Sequence, residues 1–367
     1  MKLQRSGYVA GIALTAALSL AACGSDNNTS STAGSAANAS AAAGSCTTGS
    51  LTAEGSTAQA NAMAEWIKDY QGQCSGAKIG YQGTGSGAGV QAFTAGTADF
   101  AGSDSALKPA EHTAADPKCP GGVAMDLPMV VGPIAVVYNV DGVKDLQLDG
   151  PTLAKIFAGK ITKWNDPAIA GQNSGATLPS TTIQTVHRSD SSGTTDNFTK
   201  YLGTVDKADY TFDHDKTWKA PGGVGAKGSD GVAAKVKSTP GTLAYVELSF
   251  AQNSSLSMAK VKNGAGEYAQ LTADSAGKLI EGAKITGTAP DLTMTIDYNT
   301  TQAGAWPIGL VTYEIACSKG SAKAADIKAF LTYTSSTGGQ SVLSDLGYAP
   351  LPESVRTQVA ASVAAIS

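Results

Sequence analysis

Apolar and polar positions alternate in two rhythms along this chain, and the first hundred residues show both. Residues 50–55, SLTAEG, read as a strand, and 56–71, STAQANAMAEWIKDYQ, carry Met63, Trp66, Ile67 and Tyr70 at helical spacing. AKIGYQG (77–83) is a second strand, TGSGAGVQAFTAG (84–96) a second helix and TADFAGSD (97–104) a third strand. Strands alternating with helices in this way predict a parallel sheet with helices on its faces. Ser56 or Thr57 is the expected N-cap of the first helix. Ligands of such sheets settle at the carboxyl ends of strands, where helix N-termini point.

The rhythm loosens further on. MDLPMVVGPIAVVYNV (125–140) is two apolar runs around Gly132 and Pro133, a strand or a crossover. Residues 149–169 predict a helix and then a turn-rich loop, and TTIQTVHRSD (181–190) a strand. DNFTKYL places Phe198, Tyr201 and Leu202 on one helix face. GTLAYVEL (241–248), LTMTIDY (292–298) and GLVTYEIAC (309–317) predict strands, and 352–366 a final helix striped by Val355, Val359, Val363 and Ile366, with Pro352 near its start.

The N-terminus stands apart from these rhythms. Lys2 and Arg5 precede an apolar stretch, 8–22, shorter than the roughly 20 residues of a membrane span. It ends in LAAC, which resembles the lipobox of bacterial lipoproteins and makes Cys23 the expected lipidated residue. Residues 1–22 are then a signal peptide. Residues 23–45 have no large apolar side chain to bury and are expected as a flexible tether on the anchor.

Composition narrows the partners. The 367 residues are 42% apolar and 15% charged, enough for one large or two medium domains with real cores. Loss of residues 1–22, with Lys2, Arg5 and no acid, moves the formal charge from −4 to −6. That balance argues against nucleic acid, and any anion must be attracted by local donors and dipoles. Cys46, Cys74, Cys119 and Cys317 fit no zinc spacing and read as two disulfides. Three connectivities are open. Parallel neighbouring strands would bring Cys46 near Cys74, which leaves Cys119 with Cys317.

Three segments share one grammar, in which a strand ends, small hydroxyl or glycine residues follow, and a helix begins. They are EGSTAQ (54–59), GTGSGAGV (83–90) and HRSDSSGTTDNF (187–198). A helix start exposes N–H donors and the positive end of the peptide dipole, and glycine allows close backbone approach. One such end is ordinary capping; three converge on one small anion. Gly83, Gly85 and Ala88 with Asp104 also fit a dinucleotide fingerprint, but Asp104 falls on a loop and an exported chain has little access to such cofactors. A Ser191 or Ser192, His187 and Asp190 hydrolase site fails because strand alternation turns His187 away from Arg188. His112 and His214 sit in polar, loop-like surroundings, so neither a metal nor a cofactor is expected.

Taken together, YQGTGSGAGVQAFTAGTADFAGSDSAL, IFAGKITKWNDPAI and HRSDSSGTTDNFTKYL resemble the matching segments of the periplasmic-type phosphate-binding proteins of high-affinity phosphate ABC transporters, in the lipid-anchored actinobacterial form. The resemblance implies an α/β, two-lobed type II binding-protein fold of mixed sheets flanked by helices. Lobe I would be 46–133 and 303–367, and lobe II 134–302. It implies a non-enzymatic, monomeric protein on the outer face of the cell membrane, passing inorganic phosphate to permease subunits. The implied ligand set is Ser56, Thr57, Ala58, Ser86, Asp104, Arg188, Ser192, Gly193 and Thr194, with Asp190 orienting Arg188. Ala58 departs from the phenylalanine common at that place. Phosphate near neutral pH keeps a P–OH to donate to Asp104, whereas sulfate has none, so Asp104 is the expected discriminator. A receptor for another tetrahedral oxyanion, a secreted phosphatase and an adhesin that has lost the site are the alternatives.

Overall fold

The computed structural model describes residues 46–367. The expected signal peptide, Cys23 and the tether lie outside the described residues.

The opening alternation forms β1 (Ser50–Gly55), α1 (Ala60–Gln73), β2 (Lys78–Gly83), α2 (Ser86–Ala95) and β3 (Phe100–Ser103). A short helix α3 (Pro109–Ala115) leads to β4 (Ala124–Asn139). After α4 (Gly150–Phe157) come β5 (Gln184–Arg188), α5 (Gly193–Val205), β6 (Val224–Ala226), α6 (Gly228–Ser238) and β7 (Thr242–Glu247). The chain closes with β8 (Gly309–Cys317), α7 (Ala324–Thr334) and α8 (Glu353–Ala364).

These strands form one sheet in the order β2-β1-β3-β8-β4-β7-β5-β6, with a short strand Ser257–Met258 also on β4. Its two ends are parallel, as strand–helix alternation predicts. The centre is antiparallel: β8 runs against both β3 and β4, and β4 against β7. The sheet is therefore mixed.

β4 is a single strand of 16 residues that runs through Gly132 and Pro133, the first of the two expected alternatives. Proline is tolerated there because the strand changes partner at that point. Ala124 to Pro133 pairs with β8, and Ile134 to Asn139 with β7. Every residue of β4 but the last is buried, as is every residue of β8. Burial on both faces removes the period-2 signal and leaves an unbroken apolar run.

Three local expectations need correction. Helix α1 starts at Ala60 with Gln59 at its N-cap and no side-chain cap, because the Ser56 hydroxyl is turned to Asp104. In 292–298 only Met294–Thr295 is strand, paired with Lys284–Ile285; alternation buries Leu292 and Tyr298 without a long ladder. His112 lies on α3, not on a loop.

Cys46 is joined to Cys74, the residue that follows α1, and Cys119 to Cys317 at the end of β8. The second bridge sits in a small core with Val90, Phe93, Leu107 and Ile315. In α8 the Val355, Val359, Val363 and Ile366 stripe is buried. Among the described residues no helix is long and apolar enough to cross a membrane.

Candidate functional site

The strand ends of β1, β2 and β5 bring the three small-residue segments together, and the end of β3 adds Asp104. β1 ends at Gly55, whose φ of +144° takes the chain across the backbone of Gly102. Ser56 follows and donates its hydroxyl to Asp104 Oδ1, while its Oγ accepts the Ala58 N–H at 3.0 Å. Gly85, with φ +102°, admits Asp190 on its open side, where a Cβ would stand 2.7 Å from Oδ2. Helix α2 then begins at Ser86 and α5 at Gly193.

Asp104 is where the segments converge. It follows β3 and is 3% exposed. Its Oδ1 accepts the Ser56 hydroxyl and the Thr312 hydroxyl, the latter at 2.9 Å; its Oδ2 accepts the Thr194 hydroxyl at 3.0 Å. Burial pushes its pKa up, against the pull of these hydroxyls and of the Arg188 charge. Its backbone is held too. Ser86 Oγ accepts the N–H of Asp104 and of Gly193, both at 3.1 Å, and Asn197 Nδ2 donates to the Asp104 carbonyl at 2.7 Å.

Glycine is required at 193. A Cβ there would fall 2.6 Å from Asp104 Cβ and 2.8 Å from Ser86 Oγ, so a side chain would push α5 off the site. Ser192 caps α5 by accepting the Thr195 N–H at 3.3 Å, and its own N–H donates to the Lys216 carbonyl at 2.8 Å. The first turn of α5 thus points at Asp104.

Arg188, the last residue of β5, is 3% exposed. Its Nε donates to Asp190 Oδ1 at 2.7 Å and its Nη2 to Oδ2, a forked pair that fixes the guanidinium plane. Burial alone would raise Asp190, but the Arg188 bond and charge outweigh it and hold that carboxyl below its usual range. Gly228 N–H adds a bond to Asp190 Oδ1 at 3.1 Å. The Arg188 N–H donates to the Tyr245 hydroxyl at 3.2 Å, so β7 also braces the arginine.

Ser56, Thr57, Ala58, Ser86, Asp104, Arg188, Ser192 and Thr194 are all buried, as is Gly193. Ala58 contributes its N–H to Ser56 and its carbonyl to the Tyr348 hydroxyl at 2.6 Å. Thr57 lies slightly apart and meets Ser229, at the start of α6, Oγ to Oγ at 2.9 Å. The two halves of the sheet are also joined near the rim, by Gly87 N–H to the Ser191 carbonyl, Lys216 to Glu111 at 2.7 Å and Lys108 to Asp215 at 3.2 Å.

His187 and Ser192 do not form a nucleophile–base pair. His187 stacks on Trp218 at 4.9 Å, its Nδ1 lies 3.0 Å from the Arg188 carbonyl oxygen, and the Ser192 hydroxyl serves its own helix. The arrangement is a cradle of hydroxyls, two helix starts, one braced arginine and one buried carboxylate. Such a set can hold an oxyanion that carries a proton.

Thr312, Tyr245 and Ser229 escaped the sequence reading. Thr312 had a signal: it and Glu314 are polar residues two apart in an otherwise apolar strand. Glu314 is fully buried, and burial pushes its carboxyl well above the usual carboxylate range. Glu247, buried at the end of β7, is pushed by burial up to about 8.

The chain matches the PBP superfamily domain over residues 40–337. It is 44% identical over 372 residues to a protein named phosphate-binding protein PstS 3 from Mycobacterium leprae, covering 100% of both chains. It is 42% identical over 374 residues to phosphate-binding protein PstS2 of Mycobacterium bovis, again covering 100% of both. Among solved structures it resembles a high affinity periplasmic phosphate-binding protein, PfluDING, bound with phosphate, with a TM-score of 0.69 at 22% identity, covering 85% of this chain and 93% of that one. A phosphate-binding protein from Stenotrophomonas maltophilia gives a TM-score of 0.65 at the same identity and coverage. These structural likenesses establish the two-lobed binding-protein fold.

Proposed function

The chain belongs to the phosphate-binding protein family of the PBP superfamily, and from that premise we propose that Asp104, Arg188 and the starts of α2 and α5 capture inorganic phosphate for delivery to an ABC permease. It is an extracytoplasmic solute-binding protein and not an enzyme. The observation that carries the reading is the convergence of the Ser56, Thr194 and Thr312 hydroxyls on the buried Asp104 carboxylate. Hydroxyl hydrogens rotate, so Ser56 and Thr194 can turn from Asp104 to phosphate oxygens when a P–OH arrives to take their place. Arg188 supplies the full positive charge and Asp190 holds its plane. The ligand set is Ser56, Thr57, Ala58, Ser86, Asp104, Arg188, Ser192, Gly193 and Thr194, with Ala58 acting through its backbone.

Lobe I is 46–133 with 303–367, and lobe II is 134–302. The change of β4 partner between Pro133 and Ile134 supports the first crossing. The rim contacts Gly87–Ser191, Lys216–Glu111 and Lys108–Asp215 then belong to a closed state that ligand completes. Cys23 carries the lipid, and 23–45 tethers the domain to the membrane. Calorimetry of residues 46–367, stripped of phosphate, tests the reading: phosphate should bind at one site per chain, and no heat with phosphate would end it.

A further inference from the structure

Three side chains from separate segments meet outside the anion cradle. His112 comes from α3, Asp126 from β4 and Asp291 from the loop before Leu292. One ligating atom of each lies within 4.8 Å of the other two. Asp126 is wholly buried, while His112 and Asp291 are about a quarter exposed and give solvent a way in.

His112 Nε2 stands 3.6 Å from Asp126 Oδ2 and 3.7 Å from Asp291 Oδ2. Both separations exceed an N–H···O hydrogen bond. They come within about 0.1 Å of the edges between ligands on one cation, since bonds of about 2.0–2.2 Å put tetrahedral ligands about 3.3–3.6 Å apart. The remaining atoms are held as a supporting layer holds metal ligands. Leu107 N–H donates to both oxygens of Asp126, at 3.2 and 3.1 Å. Asp126 N–H donates to Asp291 Oδ1 at 2.7 Å, which turns Oδ2 toward the histidine. His112 Nδ1 lies 4.0 Å from Asp116 Oδ1. Two carboxylates this close, one fully buried, repel unless a proton or a bound cation stands between them.

We propose that His112, Asp126 and Asp291 form a divalent-cation site of the zinc class, with one nitrogen and two carboxylate oxygens as ligands and water completing the shell. A nitrogen ligand and few oxygens favour zinc over calcium or magnesium. The bound ion clasps α3 to β4. That helix carries Glu111, and Lys108 precedes it; both pair with the 215–216 segment at the rim, so the clasp fixes one side of the closed contact.

The test is calorimetry of Zn²⁺ into the untagged, chelator-stripped chain, with thermal melts alongside. One Zn²⁺ per chain is expected, raising the melting temperature. His112→Ala and Asp291→Asn, both at partly exposed positions, should each weaken Zn²⁺ binding at least tenfold while each variant keeps one phosphate site per chain. Asp126 is left intact because its burial would confuse loss of metal with loss of fold. Absence of Zn²⁺ binding in the unmodified chain overturns the proposal and leaves a proton shared by the carboxylates. Equal binding by both variants, or preference for Ca²⁺, overturns it as well.

Discussion

Thr194 donates its hydroxyl to Asp104 Oδ2 at 3.0 Å, joining the first turn of α5 to the end of β3 across 90 residues of sequence. Both partners are buried, so the bond is made out of water and sets the distance between the two sides of the cradle. Thr194→Val keeps the shape and removes the donor. Loss of one charge-assisted bond should weaken phosphate by about 1.5–3 kcal/mol, which calorimetry reads directly. Unchanged affinity would remove Thr194 from the ligand set.

Arg188→Lys keeps the charge and loses the fork. An ammonium cannot match both oxygens of Asp190 and a phosphate edge together. The expected cost is again about 1.5–3 kcal/mol, or about ten- to a hundred-fold in Kd. A lysine variant with native affinity would show that charge alone suffices.

Stability should fall as the medium turns alkaline. Burial lifts Glu247 from 4.5 to about 8, so between those values the folded chain keeps a proton that the unfolded chain releases. Its contribution is whole below about pH 4.5 and is lost as pH rises through about 8. Glu314 and Asp104 are raised by burial and act in the same direction. Glu247→Gln cannot ionise, so its melting temperature relative to the parent should climb from about pH 5 to about pH 9. A flat difference across that range contradicts the assignment.

The two disulfides should differ in worth. Cys46–Cys74 closes 28 residues and Cys119–Cys317 closes 198. Loop entropy makes the longer one stronger by about 1.7 kcal/mol. Denaturant unfolding of the two paired Cys→Ser variants checks the order, and a larger loss from the Cys46–Cys74 pair would reverse it.

The legible parts of this molecule are those whose information is local. Strand–helix rhythm marked β1 to β3, and glycine and hydroxyl clusters marked the three turns that meet at Asp104. Arg188 ends a strand and is followed two residues later by an acid, but its place in the ligand set came from the resemblance of HRSDSSGTTDNFTKYL to the phosphate-binding proteins. What stayed hidden depends on distant pairing. Period 2 vanishes in β4 and β8 because both faces are buried, and the change of partner at Pro133 shows only when β7 and β8 are in place. Thr312 reaches Asp104 from 208 residues away, and His112, Asp126 and Asp291 meet only through the fold. The Ser56 side chain could cap its helix or serve the site, and local sequence does not decide between them.

Asp104 carries the central claim, the proposal that its buried carboxylate accepts a proton-bearing anion and repels one without a proton. Calorimetry of phosphate and sulfate against the parent chain and Asp104→Asn measures this directly. The parent should bind phosphate far more tightly than sulfate, and the variant should narrow that ratio at least tenfold. An unchanged ratio would contradict the account.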